Sequence, residues 1–312
     1  APAPPPAPPP AGAGSIRVPA SCCGLVGLKP SRGRVSPGPD AAEVTFGMSC
    51  DFGLTRTVRD AAHLLDAVHG PAAGDRYTAP PPARRYADEL EAGPGTLRVA
   101  VTTEAWSGAP VDPEVAAAAV RAGELLEEMG HLVTGASPAV DWDLVMRGVV
   151  PVAIACVASA ALTADPGGLE AVTVNALREV KDLGPLDLMA ALDAQNRVSR
   201  SVGAFFTGHD LLVTPTLGRL PAPHGTLRYD DPGHDMDGWH RSLFDYGPFT
   251  VVFNIAGLPA VSLPLGWSES GLPIGVQLVA PYGREDLLLR VAARLERAAP
   301  WRDRTPGLFV GR

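Results

Sequence analysis

Residues 14–31 of the chain read GSIRVPASCCGLVGLKPS. The serine at position 15 is the residue of this stretch on which a functional interpretation depends. A serine hydroxyl reacts as a nucleophile only beside a base, and the intermediate that forms needs hydrogen-bond donors for its oxyanion. The nucleophile elbow G-x-S-x-G does not fit here, because Ala13 and Arg17 occupy its two glycine positions. Any chemistry at Ser15 therefore needs another arrangement.

The residues before this stretch have a different composition. Residues 1–13 read APAPPPAPPPAGA, and a run of alanine and proline favours an extended, solvated segment with no packed core. We therefore predict a Pro/Ala-rich disordered segment over residues 1–13. We interpret it as a truncated or misread start that replaces a lost region. A proline-rich ligand for a partner domain is the alternative.

Composition excludes several classes of protein. The formal net charge is −8 and the pI is about 5.4, whereas a binder of nucleic acid or of anionic membranes usually presents a basic face. The apolar runs are short and broken by glycine and proline, so we expect no segment near the ~20 residues of a membrane span. The start lacks the basic and apolar parts of a secretory signal. These features predict a cytoplasmic protein with no nucleic-acid and no membrane partner.

We predict no metal and no cofactor. The four cysteines form no C-x-x-C pair, and neither a phosphate-binding loop nor a dinucleotide fingerprint is present. Histidines 224, 234 and 240 lie near several aspartates, but their spacing matches no known set of metal ligands. We interpret this region as a polar loop at the rim of a substrate pocket.

Hydrophobic periodicity predicts an α/β fold. Apolar residues at helical spacing predict helices over residues 58–69, 113–129 and 284–298, and mostly helical structure over 144–206. Short apolar runs predict strands over residues 97–101, 131–134, 211–214, 259–265 and 274–279. The strand–helix–strand order of residues 97–134 indicates a β-α-β unit inside a mixed sheet.

Residues 14–31 resemble the second half of the signature of the amidase-signature family of amide hydrolases. The similarity extends from about residue 12 to about residue 300, through FGLTRTVRD (52–60), DLLVTPT (210–216) and the segment 249–279. Residues 22–34 also resemble the branch that hydrolyses cyclic amides of the 6-aminohexanoate dimer type. The resemblance implies a mixed β-sheet flanked by helices, with residues 14–312 forming a partial, N-terminally truncated amidase-signature domain.

The resemblance implies a role for each residue around the serine. Ser15 would be the catalytic nucleophile, the backbone of Ala13 and Gly14 would bind the oxyanion, and Arg17 would support the signature. The family commonly reads DTGGS where this chain reads AGAGS (11–15). We expect the Cβ atom of Ala13 to block a backbone conformation with positive φ. We also expect Arg17 to lack the carboxylate partner that the family's aspartate would supply.

The resemblance also implies a base that we do not find in the sequence. In the family a neutral lysine, well upstream, takes the proton through a bridging serine. The 14 residues before Ser15 include neither lysine nor serine. The two lysines of the chain are Lys29, in the segment that the resemblance marks as structural, and Lys181, in a charge cluster typical of a solvated helix face. We expect neither to replace the base.

We therefore predict an amidase that hydrolyses a carbon–nitrogen bond through a serine acyl-enzyme and is impaired by the missing lysine and bridging serine. Its substrate would be a small linear or cyclic amide. The sequence does not decide whether the protein forms a homodimer. One alternative is an inactive remnant, or a fragment that works only with a partner. Another is an amidotransferase A-type subunit. Removal of an N-terminal part would expose strand edges and apolar surface, which predicts poor solubility.

Overall fold

The computed structural model describes residues 12–39, 45–226, 228 and 231–306. Most of the predicted segment 1–13 lies outside these residues. The described chain forms one mixed sheet of seven strands with helices on both faces, as the α/β prediction and the resemblance require.

The sheet has the strand order β2-β1-β6-β7-β5-β3-β4. Strands β3, β4 and β5 are parallel neighbours, whereas β5-β7, β7-β6, β6-β1 and β1-β2 pair antiparallel. The parallel pair β3-β4 encloses helix α4, so the predicted β-α-β unit is confirmed. The strands are β1 (Val26–Lys29), β2 (Leu54–Thr55), β3 (Arg98–Val101), β4 (Leu132–Gly135), β5 (Leu211–Pro215), β6 (Ala260–Trp267) and β7 (Pro273–Val279).

Two apolar clusters cover the two faces of the sheet. Helices α2, α4 and α10 contribute to one cluster, and α5, α7, α8 and α9 contribute to the other. The helices are α1 (Arg17–Cys23), α2 (Val58–Val68), α3 (Tyr86–Glu89), α4 (Pro113–Glu128), α5 (Trp142–Ala161), α6 (Ala171–Glu179), α7 (Pro185–Phe205), α8 (Met236–Tyr246), α9 (Val251–Ile255) and α10 (Glu285–Ala298). Each helix and strand predicted from periodicity is present, with bounds that differ by at most two residues.

Two sequence-based expectations were wrong, one about the region of His240 and one about the length of the apolar segments. Residues 236–246 form helix α8 and not a loop, and His240 is buried in it with Nδ1 2.7 Å from the carbonyl oxygen of Met236. We expected no apolar segment near the length of a membrane span, but helix α5 is 20 residues long and apolar enough to span a membrane by length and composition. Length and composition alone are weak evidence, because core helices share them, and half of this helix is buried in the structure.

Helix α1, which follows Ser15, lies across strands β1, β6 and β7. Its packing on β7 is close: the amide of Gly275 donates a 3.0 Å hydrogen bond to Ser21 Oγ. A Cβ atom at Gly275 would overlap Ser21 Oγ and lie 2.7 Å from Ser262 Oγ. Because β7 is a central strand, the sheet fixes the start of α1 and with it the position of Ser15.

This packing predicts that Gly275→Ala destabilises the protein by about 1–3 kcal/mol, the usual cost of overpacking a well-filled interior. Gly135→Ala is the matched control, since Gly135 also lies in a strand but has nothing within 4 Å of the added Cβ atom. Urea unfolding of both variants measures the difference. Equal free energies of unfolding for the two variants would show that α1 is not held in this way.

Candidate active site

Ser15 lies on a short loop, residues 12–16, that leads into α1. Its side chain is exposed, and its Oγ donates a 3.1 Å hydrogen bond to the carbonyl oxygen of Gly12. The carbonyl oxygen of Gly14 accepts a 2.9 Å bond from the amide of Val18, which closes the loop onto the first turn of the helix. The hydroxyl is thus presented at the surface by a folded loop.

The backbone of this loop lies in the left-handed region at two successive residues. Ala13 has φ +65° and Gly14 has φ +137°. The expectation that the Cβ atom of Ala13 blocks a positive φ is therefore wrong. A left-handed non-glycine residue costs about 1–2 kcal/mol, so surrounding contacts must hold it. One such contact is visible: Thr250 Oγ1 donates a 2.7 Å hydrogen bond to the carbonyl oxygen of Ala13.

The loop leaves backbone donors free. Among the residues that the structure describes, none accepts a hydrogen bond from the amides of Gly14 and Ser15, and none accepts one from the amide of Ala13, which the resemblance also assigns to the oxyanion. Donors fixed in this way are suited to the oxyanion of an acyl-transfer intermediate. Gly14 has no room for a side chain, because an added Cβ atom would lie 2.6 Å from Thr250 Oγ1.

Arg17 is buried completely, and neutral oxygens accept its hydrogen bonds. Its Nη1 donates to the carbonyl oxygen of Thr250 at 3.0 Å and to Gln277 Oε1 at 2.7 Å, and its Nη2 donates to Asn254 Oδ1. Among the described residues no carboxylate pairs with it, and residue 11, where the family has aspartate, lies outside the described residues. Burial lowers the pKa of Arg17 to about 10.

The partners of Arg17 connect the loop to distant parts of the chain. Asn254 Nδ2 donates to the carbonyl oxygen of Met48 at 2.8 Å. Gln277 Nε2 donates to Thr214 Oγ1 at 3.0 Å and to the carbonyl oxygen of Phe249 at 2.8 Å. One guanidinium therefore joins α1 to α9, β5, β7 and the segment before β2.

Neither lysine of the chain contacts Ser15. The side chain of Lys29 is buried, and its Nζ donates to the carbonyl oxygen of Pro30 at 2.8 Å. Lys181 is exposed in the 3₁₀ helix Val180–Asp182. Within the described residues the one hydrogen-bond partner of Ser15 Oγ is the carbonyl oxygen of Gly12. No group there is placed to take its proton.

A cavity of about 300 Å³ lies elsewhere, at the carboxyl ends of β3 and β4 beside α4. Its lining includes Thr102, Thr134 and Glu124 and none of the residues that we predicted for the site. It therefore adds nothing to the interpretation of Ser15.

Sequence reasoning missed Thr250, Asn254 and Gln277. All three lie in the segment 249–279 through which the resemblance runs, but nothing in their spacing relates them to Arg17, more than 230 residues away. The partnership becomes visible only when α9 and β7 pack against α1.

Residues 11–289 match the amidase family. The chain belongs to this family. It is 40% identical over 317 residues to a 6-aminohexanoate-cyclic-dimer hydrolase of Pseudomonas sp. (strain NK87) and 41% identical over 318 residues to one of Paenarthrobacter ureafaciens. Each alignment covers 95% of this chain and 64% of the relative. The chain thus spans a little under two thirds of the length of these relatives.

Solved structures agree with this family membership. The structure of a 6-aminohexanoate cyclic dimer hydrolase matches with a TM-score of 0.88 and 38% identity, covering 94% of this chain and 64% of that one. A bacterial aryl acylamidase of the amidase-signature family matches with a TM-score of 0.76 and 25% identity, covering 93% and 61%. The resemblance stated from the sequence is therefore confirmed, including the cyclic-dimer branch.

The geometry around Arg17 predicts that lysine cannot replace it in this member of the amidase family. A lysine ammonium is a single point of charge and cannot span the carbonyl and two amide oxygens that the guanidinium joins. Arg17→Lys should lower the free energy of unfolding by about 2–4 kcal/mol because buried acceptors lose their donors. Arg98→Lys, at the exposed pair with Asp210, is the control and should cost far less, because an exposed ion pair contributes little to stability. Chemical unfolding that shows equal losses would contradict the buried network.

The burial of Lys29 predicts that the free energy of unfolding depends on pH. Its burial lowers its pKa to about 8, with Cys50, Arg17, Arg32 and Glu285 as the nearby titratable groups. The unfolded chain returns the group to a pKa of about 10.4. Between these values the unfolded state binds the proton that the folded state has lost, so this group makes the free energy of unfolding rise with pH.

The comparison with Lys29→Met isolates that contribution. From about pH 8 to about pH 10, the stability of the wild type relative to the variant should increase by up to about 1.4 kcal/mol per pH unit. Urea unfolding of both proteins at several pH values measures it. A difference that does not change with pH would mean that Lys29 keeps its ordinary pKa.

Proposed function

We propose that the chain carries the nucleophile and the oxyanion site of an amide hydrolase. Ser15 Oγ attacks the carbonyl carbon of an amide and gives up its proton to a base, and the amides of Gly14 and Ser15 bind the oxyanion. The C–N bond then breaks, the amine leaves with a proton, and water hydrolyses the ester on Ser15 to the acid. The observation that supports this most strongly is the exposed serine on a loop with unused backbone donors, in a member of the amidase family.

We propose a small cyclic or linear amide of the 6-aminohexanoate type as the substrate. The support is the identity of 40–41% to two 6-aminohexanoate-cyclic-dimer hydrolases and the TM-score of 0.88 to the solved structure of a protein of that name. The amidotransferase alternative has weaker support, since the A-type component of a glutamyl-tRNA(Gln) amidotransferase from Thermotoga maritima matches with a TM-score of 0.65 and 26% identity.

We further propose that these 312 residues alone react slowly. No described residue is placed to take the proton of Ser15 Oγ, and a general base contributes about 10²–10⁴ in rate. The oxyanion donors do not depend on that base, so reactivity should be reduced and not lost.

Labelling with a fluorophosphonate probe tests this function. We expect the probe to modify Ser15 of the chain slowly and Ser15→Ala not at all, with Ser270→Ala, at another exposed serine, labelled as the wild type. A chimaera that adds the part of the Pseudomonas relative left out of the alignment should label at least about 100-fold faster. It should also release 6-aminohexanoate dimer from the cyclic dimer.

Two results would contradict the proposal. If the chimaera hydrolyses the cyclic dimer equally well after Ser15→Ala, Ser15 is not the nucleophile. If neither the chain nor the chimaera is labelled at Ser15 while both are folded, the loop is an inactive remnant of the family site.

A further inference from the structure

We propose that Thr250 is a positioning residue that sets the direction of the Gly14 amide N–H, one of the two donors assigned above to the oxyanion. The inference rests on the proposed role of Ser15 and adds a residue that none of the sequence patterns marks. It is carried by the bond from Thr250 Oγ1 to the carbonyl oxygen of Ala13.

The hydroxyl of Thr250 is not used for its own helix. Thr250 is the N-cap residue of α9, and an N-cap threonine ordinarily accepts a hydrogen bond from an amide of the first turn. Here the side chain makes no such bond. Its single hydroxyl proton is donated instead to the carbonyl oxygen of Ala13 at 2.7 Å, and the carbonyl oxygen of Gly247, at 3.2 Å, is the more distant of the two acceptors in reach. The helix thus lacks one stabilising cap while the loop of Ser15 gains a fixed contact.

Because of peptide geometry, the hydrogen bond to the Ala13 carbonyl also orients the Gly14 N–H. The peptide bond between Ala13 and Gly14 is trans, so its carbonyl and its N–H lie in one plane and point in opposite directions. A hydrogen bond that fixes the Ala13 carbonyl therefore fixes the Gly14 N–H on the other side. The same bond polarises the peptide and strengthens the N–H as a donor.

Three further observations show that the loop is held at Thr250. The left-handed φ of Ala13 is unfavourable by itself and needs such a restraint. The carbonyl oxygen of Thr250 accepts from Arg17 Nη1, so the same residue contacts the chain on both sides of Ser15. A Cβ atom at Gly14 would overlap Thr250 Oγ1, which shows how closely the loop lies against it.

Three variants separate positioning from general stability. Thr250→Val keeps the shape but removes the hydroxyl, and Thr250→Ser keeps the hydroxyl. Thr216→Val is the matched control, because Thr216 is equally buried and loses one hydroxyl contact, to Ser262, away from the loop. The rate of fluorophosphonate labelling is measured for each, since the phosphonyl oxygen takes the place of the oxyanion.

A second measurement does not depend on reactivity. With carbonyl-¹³C alanine and ¹⁵N glycine, only the six Ala-Gly pairs of the sequence give cross-peaks that join a carbonyl to the next amide. The cross-peak of Ala13 and Gly14 is identified by its loss in Ala13→Ser. Its chemical shifts report whether the Ala13 carbonyl accepts a hydrogen bond and how the Gly14 N–H is oriented.

We expect the probe to label Thr250→Val at least about tenfold more slowly than the wild type. An oxyanion donor contributes a factor of about 10²–10³ to the rate, and a misplaced donor loses much of it. Thr250→Ser and Thr216→Val should stay within about threefold. Thr250→Val should also shift the Ala13–Gly14 cross-peak, which the other two variants leave in place.

If the wild type reacts with the probe and Thr250→Val is labelled at the same rate as Thr216→Val, the inference is overturned. If neither the wild type nor the chimaera reacts at Ser15, the proposed function fails, and the cross-peak decides about Thr250. An unmoved cross-peak in Thr250→Val overturns the positioning role, and a shifted one with Thr250→Ser unchanged supports it.

Discussion

The buried guanidinium of Arg17 is the interaction on which the rest of this structure depends. A cation removed from water needs partners for its donors, and here a backbone carbonyl and two amide side chains accept from the two Nη groups, while Nε has no partner among the described residues. Those oxygens belong to α9 and β7, which reach the site from the far end of the sequence. Because the charge is unfavourable without all of them, the burial of Arg17 requires that both elements pack on α1. The loop of Ser15 is positioned as a consequence.

The same packing explains how an alanine adopts a conformation that usually needs glycine. Taken alone, the Cβ atom of Ala13 disfavours a positive φ, and the sequence-based expectation followed from that fact. The hydrogen bond from Thr250 and the anchoring of Arg17 two residues beyond Ser15 outweigh this local preference. Local rules fail most often where tertiary contacts hold strain at a functional site, and residues 13–15 fit that description.

Much of the fold was predictable, and the reasons differ between elements. Helices α2, α4 and α10 have one apolar and one polar face, and strands β3 and β5 are short apolar runs, so periodicity was enough. Helix α8 was missed because histidines and aspartates dominate its start and obscure the apolar side chains, among them Phe244, that it buries. Ser15, Gly14 and Arg17 were predicted through the resemblance. Thr250 was not, because a contact across 237 residues leaves no trace in local spacing.

Under the proposed function, the arrangement also separates the two parts of serine catalysis. Stabilisation of an oxyanion depends on dipoles that are already oriented, and here the sheet, Arg17 and Thr250 orient them through contacts that do not involve a base. Activation of the hydroxyl depends on a proton acceptor in contact with Ser15 Oγ, and the described residues place none there. In serine hydrolases that lose their triad, the oxyanion site and binding alone retain a rate about 10³–10⁴-fold above that in water. The geometry of the loop can therefore be tested by labelling, separately from the proton transfer that the proposed function also requires.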